Sequence, residues 1–325
     1  MNPPTASYNK LGLGIAAGIG AAIFYTGANI SLRYSSTNIS PVVVAFFKAL
    51  ITWVCCSPVY FWGFRRYTTP LPSRRGSLIL LGASVFVQLV GSNGFQLSLG
   101  LLGVALAVPI VIGSMVVLGI VLGRIFLGEP IEAVSAISLL VVSIFLMSIR
   151  AEASHIHMEA EQLILPATWS AAFGIVAAIM TGLTYAVLGV SIRRALLEPV
   201  HPFTAIMFVT TTGILLLGPL AFVQTGFSDL ASFRTTQWWA LIFGGLFNAA
   251  GFICLSFALR NLNVLYVNAI NVSQVGLAAI AGMMLFGEPT TTYFTIGLGV
   301  MLAGFILLGV IQNRKRIRRK KLEPK

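Results

Sequence analysis

The chain has 325 residues, of which 21 are basic, 9 acidic and 57% hydrophobic, and its mean hydropathy is +0.91. An ordinary soluble domain is about 25% charged, so this composition excludes a disordered protein and argues against a soluble globular one. The net charge of +12 does not describe a nucleic-acid surface, because seven of the eight residues from Arg314 to Lys321 are basic and most other positive charges end apolar runs.

A bilayer core takes about 20 apolar residues per helical crossing. Ten such runs follow one another, at 11–32, 40–64, 76–98, 102–123, 131–149, 168–192, 202–223, 237–259, 263–286 and 290–311. The first follows Lys10 without a small-x-small cleavage site and reads as a retained helix, not a signal peptide. Its Gly14 and Gly18 have the spacing of a close helix contact, and Tyr25 and Asn29 are its polar candidates. The second, opened by Pro41, holds Lys48, the one charged residue well inside a span. A lysine at mid-membrane costs roughly 3 kcal/mol, which is offset either by snorkelling to the outer interface or by facing a cavity and meeting an anionic group on a solute. Trp53, deeper than the other tryptophans, belongs to the interfacial aromatic belt or to the cavity wall.

The third span carries Gln88, Ser92 and Gln96 at i, i+4 and i+8, one face of a regular helix, with Asn93 alongside. The fourth, rich in small residues, ends in Phe126-Leu127-Gly128-Glu129-Pro130. The fifth leads into an outer loop containing His155, His157, Glu159 and Glu161, which reads as a solvated segment and not as a metal site. Thr181, Thr184 and Tyr185 lie in the sixth span, and Pro202 opens the seventh. The ninth has Asn268, Asn271 and Gln274 at i, i+3 and i+6, then ends in Leu285-Phe286-Gly287-Glu288-Pro289. Glu129 and Glu288, each before a proline, read as helix-start residues, because a carboxylate is favoured where unpaired N–H groups and the positive end of the dipole lie. Cys55, Cys56 and Cys254 have neither pairing nor metal-ligand spacing, and no cofactor is expected. With the N-terminus in the cytoplasm, 17 basic residues fall on that side against Arg33, Arg150 and Arg234 outside, so both termini are expected inside, most simply in a bacterial inner membrane. The basic tail would touch anionic lipid.

The two halves repeat at a shift near 160 residues. Ser31-Leu32-Arg33 corresponds to Ser191-Ile192-Arg193, Tyr25 to Tyr185, Pro41 to Pro202, Gly94-Phe95 to Gly251-Phe252, and Gly128-Glu129-Pro130 to Gly287-Glu288-Pro289. Five spans separate equivalent elements, so the second copy enters from the opposite side, an inverted repeat of the kind used for alternating access. The expected fold is an all-α integral membrane protein with ten transmembrane helices as two inverted five-helix repeats. Its units are residues 1–150, an outer connecting loop at 151–166, a second repeat at 167–312 and a basic tail at 313–325.

With these paired Gly-Glu-Pro endings after the fourth and ninth spans, the chain resembles the EamA-like branch of the drug/metabolite transporter superfamily. A departure is that relatives often have a proline near the positions of Val116 and Val275, whereas here the fourth span has Pro109 and the ninth none. The resemblance implies a central cavity between helices one to four and six to nine. Helices five and ten would be peripheral and offer the surface for a homodimer. The expected function is transport, as exporter, importer or exchanger, of a small polar metabolite such as an amino acid or another carboxylate-bearing solute. The expected binding residues are Lys48, Tyr25, Asn29, Gln88, Ser92, Gln96, Tyr185, Asn268, Asn271 and Gln274. Two other readings stay open. An integral-membrane enzyme acting on a lipid-linked substrate would need a clustered catalytic set, and a non-transporting scaffold would have no saturable flux.

Overall fold

The computed structural model describes residues 8–36, 39–66, 71–128, 167–198 and 200–288, together with 292, 295–297 and 299. The fifth predicted span, the outer loop, most of the tenth span and the basic tail lie outside these residues. Among the described residues there is no strand, and seven helical runs are long and apolar enough to cross a membrane, which makes this an integral, multi-pass membrane protein.

The helices are α1 (Tyr8–Ser36), α2 (Pro41–Arg66), α3 (Arg74–Phe86), a π turn at Val87–Ser92, α4 (Asn93–Leu127), α5 (Ala167–Leu196), α6 (Pro202–Ala231), α7 (Thr235–Asn261), α8 (Val264–Asn271) and α9 (Ser273–Phe286). Pro41 and Pro202 are the first residues of their helices, where a missing N–H removes no intrahelical bond. Gly128 and Gly287 close α4 and α9 in the left-handed conformation, and their N–H groups return to Gly123 and Gly282 carbonyls.

Residues 74–127 form one apolar run of 54 residues, roughly 80 Å if straight at about 1.5 Å per residue and too long for one crossing. It turns back at Gly103, whose φ of 75° and ψ of 174° are open to glycine alone. Contacts with α5 demonstrate the reversal. Gly94 packs on Ala177 and Thr181, Leu101 and Leu102 pack on Gly174, and Val111 and Ser114 return to Gly182. The third and fourth predicted spans are therefore the two arms of this run. The ninth is α8 and α9 together, joined at Val272.

Glu288 explains how the turn at Gly103 is held. The expectation was that it would begin the helix that follows Pro289. Instead its carboxylate reaches another helix start, accepting from the N–H groups of Val104 at 2.9 Å and Ala105 at 2.7 Å. It also pairs with Arg33 at 3.0 Å, whose guanidinium lies 5.8 Å from the Phe286 ring centroid. The dipole argument holds, but the dipole belongs to the second arm of α4. A Cβ on Gly103 would collide with this carboxylate. One residue thus joins the ends of α1 and α9 to the start of the second arm of α4.

Glycine faces allow the remaining close packing. α1 lies antiparallel to α7 and parallel to α8: a Cβ on Gly14 would come within 2.9 Å of Leu262, one on Gly18 within 3.0 Å of Ile270, and one on Gly251 within 3.0 Å of the Tyr25 ring. The second arm of α4 is almost wholly buried among the other helices and forms the centre of the bundle.

Candidate functional site

The polar residues of the inner helix faces converge on a central cavity of about 140 Å³. One water centre needs about 10–15 Å³ by this measure, so the space suits on the order of ten waters or a small solute.

Lys48 is one of the residues lining this cavity. Its Nζ lies 3.4 Å from Ser92 Oγ, Ser92 donates to Gln88 Oε1 at 3.0 Å, and Gln88 Nε2 donates to the Val209 carbonyl at 2.9 Å. This chain fixes the lysine against the π turn and α6 but supplies no opposite charge. Among the described residues lining the cavity none is a carboxylate, and the ion pair between Arg33 and Glu288 lies elsewhere.

Asn29 and Gln274 face each other at 3.5 Å across α1 and α9. Tyr25 stands over Gly251, and Tyr185 packs on Phe95 with ring centroids 6.2 Å apart. Asn268 is 6% exposed and Asn271 3%, yet Asn268 Nδ2 and Asn271 Oδ1 have no hydrogen-bond partner. Unpaired amide atoms at that burial cost about 1–3 kcal/mol each, and Asn268 Nδ2 packs against Gly119. All of these residues border the same cavity.

Gln96, the tenth candidate, does not. It donates to the Leu32 carbonyl at 2.9 Å and ties the first arm of α4 to α1. The cause is the π turn. An extra residue in one turn rotates all that follows by about 100°, so Gln96 leaves the face shared by Gln88 and Ser92. The turn is fitted to α5: Gly91 packs directly on Thr184, and Thr181 donates to the Gly91 carbonyl at 3.2 Å. Asn93 Nδ2 covers the carbonyls of Gln88 and Leu89 at 3.2 and 3.0 Å. Single π turns inside α-helices are frequent at functional sites.

Two lining residues were missed. Asn248 of α7 donates to Thr52 Oγ1 at 2.9 Å, and Thr52 donates to the Lys48 carbonyl at 2.7 Å, so α7 steadies the helix turn that carries the lysine. As the lone amide in mid-span, Asn248 carried the signal that marks an intramembrane polar residue. Thr210 was hidden in a run of three threonines. Trp53 is not on the wall. Its Nε1 donates to Thr211 at 3.2 Å.

Outside the spans, the Glu198 carboxyl is held below its usual range by the Ser73 backbone N–H and hydroxyl, which donate at 2.7 and 2.8 Å. Burial, and then the charge of Arg260, keep the His201 imidazole below its usual value.

Residues 172–310 match the family described as the EamA-like transporter family. That match agrees with the paired Gly-Glu-Pro endings and with the drug/metabolite transporter superfamily. No curated protein matches the chain. A solved structure, described only as the crystal structure of a protein, is similar at a TM-score of 0.64 and 15% identity, covering 93% of this chain and 98% of its own. At that identity the likeness concerns the fold.

Proposed function

Taking residues 172–310 as an EamA-like transporter region, we propose that the whole chain is an alternating-access carrier of a small polar metabolite bearing a carboxylate. The observation that carries this reading is Lys48. It is a cation on the wall of a mid-membrane cavity, tied to neutral groups and facing no carboxylate among the described residues. A solute carboxylate would supply its counter-charge, while the side chains of Asn268 and Asn271 border the same cavity. Gln88 and Ser92 orient the lysine, Asn29 and Gln274 close one wall, and Tyr25 and Tyr185 frame the space. Gln96 supports the site through α1.

Rocking of two inverted five-helix halves, 1–150 and 167–312, is the proposed motion. Several features support the inversion. The start of α1 packs on Leu262, and Arg193 at the end of α5 donates to the Leu259 and Arg260 carbonyls, so the beginning of α1 and the end of α5 share one side. Packing of α1 on α7 parallels that of α5 on α3 and the π turn. The break at Gly103 has its equivalent 160 residues on at Asn263, and Pro58 within α2 has Pro219 within α6. Basic residues favour cytoplasmic termini in an inner membrane.

Flux in reconstituted vesicles tests the reading. Purified protein should exchange a labelled carboxylate-bearing metabolite saturably, and Lys48→Ala should abolish that flux while the yield of folded protein is retained. Equal flux through the mutant would remove the lysine from the mechanism.

A further inference from the structure

The charge and hydrogen-bonding inventory of the cavity narrows the solute further than a carboxylate of any kind. Among the described lining residues the Lys48 ammonium is the single ionic group. An amino acid carries an ammonium beside its carboxylate. With the carboxylate on Lys48, that second cation would sit within a few ångströms of the first, in a low-dielectric space where like charges repel strongly. Among the described lining residues there is no carboxylate to receive it. A phosphate or dicarboxylate is equally poorly matched, since one cation would leave a second negative charge without a partner.

A neutral hydroxyl in place of the ammonium removes that repulsion, and a single carboxylate leaves no second negative charge unmatched. Val108, Val111 and Ile112 from α4, with Leu188 and Phe252, give the wall an apolar stretch. Burying a hydrocarbon body against it is favourable by about 25 cal/mol per Å². We infer that this cavity selects monocarboxylates with an apolar body and no second charge, such as 2-hydroxy acids, over the zwitterionic amino acids of the same shape. The inference rests on the transport reading only in taking this cavity as the place where the solute binds.

Matched probes separate charge from shape. The 2-hydroxy acid, the 2-amino acid and the amine are compared on two identical side chains, phenylmethyl and isobutyl, by the melting temperature of the full-length protein in detergent, since a ligand of the folded form raises it by mass action. At least one hydroxy acid should raise the melting temperature. Its amino acid should need at least tenfold more ligand for the same shift, and the amine should give none. Lys48→Gln should abolish the hydroxy-acid shift, and Lys48→Arg, which keeps the charge, should retain part of it. Circular dichroism establishes that each variant is folded, and the wild-type ranking stands without them. An amino acid as effective as its hydroxy acid, or no shift from either hydroxy acid, overturns the selectivity. If an amino-acid shift disappears in Lys48→Gln, the binding site survives and only the solute class fails. A shift unchanged in that variant removes the binding role of Lys48 as well.

Discussion

Replacing Glu288 by glutamine tests whether the turn between the two arms of the 54-residue run is held by electrostatics. The carboxylate accepts two backbone N–H groups and pairs with Arg33, and the side chains are 10% and 18% exposed respectively, so solvent screens the cluster only weakly. Glutamine keeps one acceptor oxygen. It can satisfy Val104 or Ala105, but its NH₂ then confronts the other N–H or the guanidinium. One lost charge-assisted bond and one unsatisfied donor amount to about 2–3 kcal/mol. Alanine removes everything and leaves Arg33 without its partner, about 3–5 kcal/mol. Arg33→Met should cost only about 1 kcal/mol, because the carboxylate retains both N–H donors and the helix dipole. Denaturation of the purified protein should therefore rank the losses as Glu288→Ala, then Glu288→Gln, then Arg33→Met. In the double-mutant cycle Arg33→Met should cost less in the Glu288→Ala background than alone. If Arg33→Met is as damaging as Glu288→Ala, the ion pair dominates and the capping account is wrong.

Gly91→Ala would push a methyl group into Thr184, an overpacking worth about 1–3 kcal/mol; Thr184→Ala in the same chain should recover most of the lost melting temperature, and failure to recover would place the strain elsewhere. For His201 the sign follows from its depressed value. The folded chain holds the imidazole neutral more firmly than the unfolded chain does, so its contribution is present above about pH 6.5 and is lost as pH falls through the lower folded value. His201→Gln keeps an acceptor for the Phe203 N–H, which now reaches His201 Nδ1 at 3.4 Å, and should flatten the decline in melting temperature between pH 7 and pH 5. Parallel curves for the two proteins would remove His201 as the titrating group.

Most of the bundle can be read from the sequence because hydrocarbon enforces a simple rule: every backbone group in the membrane must bond within a helix. Apolar run length then locates the spans, and the described helices begin and end within a few residues of the expected ones except where α6 continues to Ala231. The location of Lys48 was not legible in the same way. Whether a lysine roughly 12 Å into a span snorkels or turns inward depends on which neighbour covers the helix face, and that is set by Ser92 and Gln88 on a different helix.

Gln96 and Glu288 reveal the physical limit more sharply. Helical periodicity assigned Gln96 to the same face as Gln88, and the assignment fails because a turn of π geometry intervenes, created by the fit of Gly91 against Thr184 and covered by Asn93. Nothing within the third span announces that turn; its cause lies about 90 residues along the chain in α5. Glu288 was correctly recognised as a helix-capping carboxylate from its local company, but local sequence could not say which helix it caps. The answer depends on the glycine at 103, which opens the second arm of α4 and leaves no side chain to exclude the carboxylate. In both cases the residue chemistry was legible and the partner was not, because the partner is chosen by tertiary packing through glycine contacts that leave only a weak periodic trace. A lone cation in mid-membrane demands a partner wherever the chain folds, whereas the partner's chemistry is written in the rest of the cavity wall, and that wall offers amides, hydroxyls and hydrocarbon but no carboxylate among the described residues.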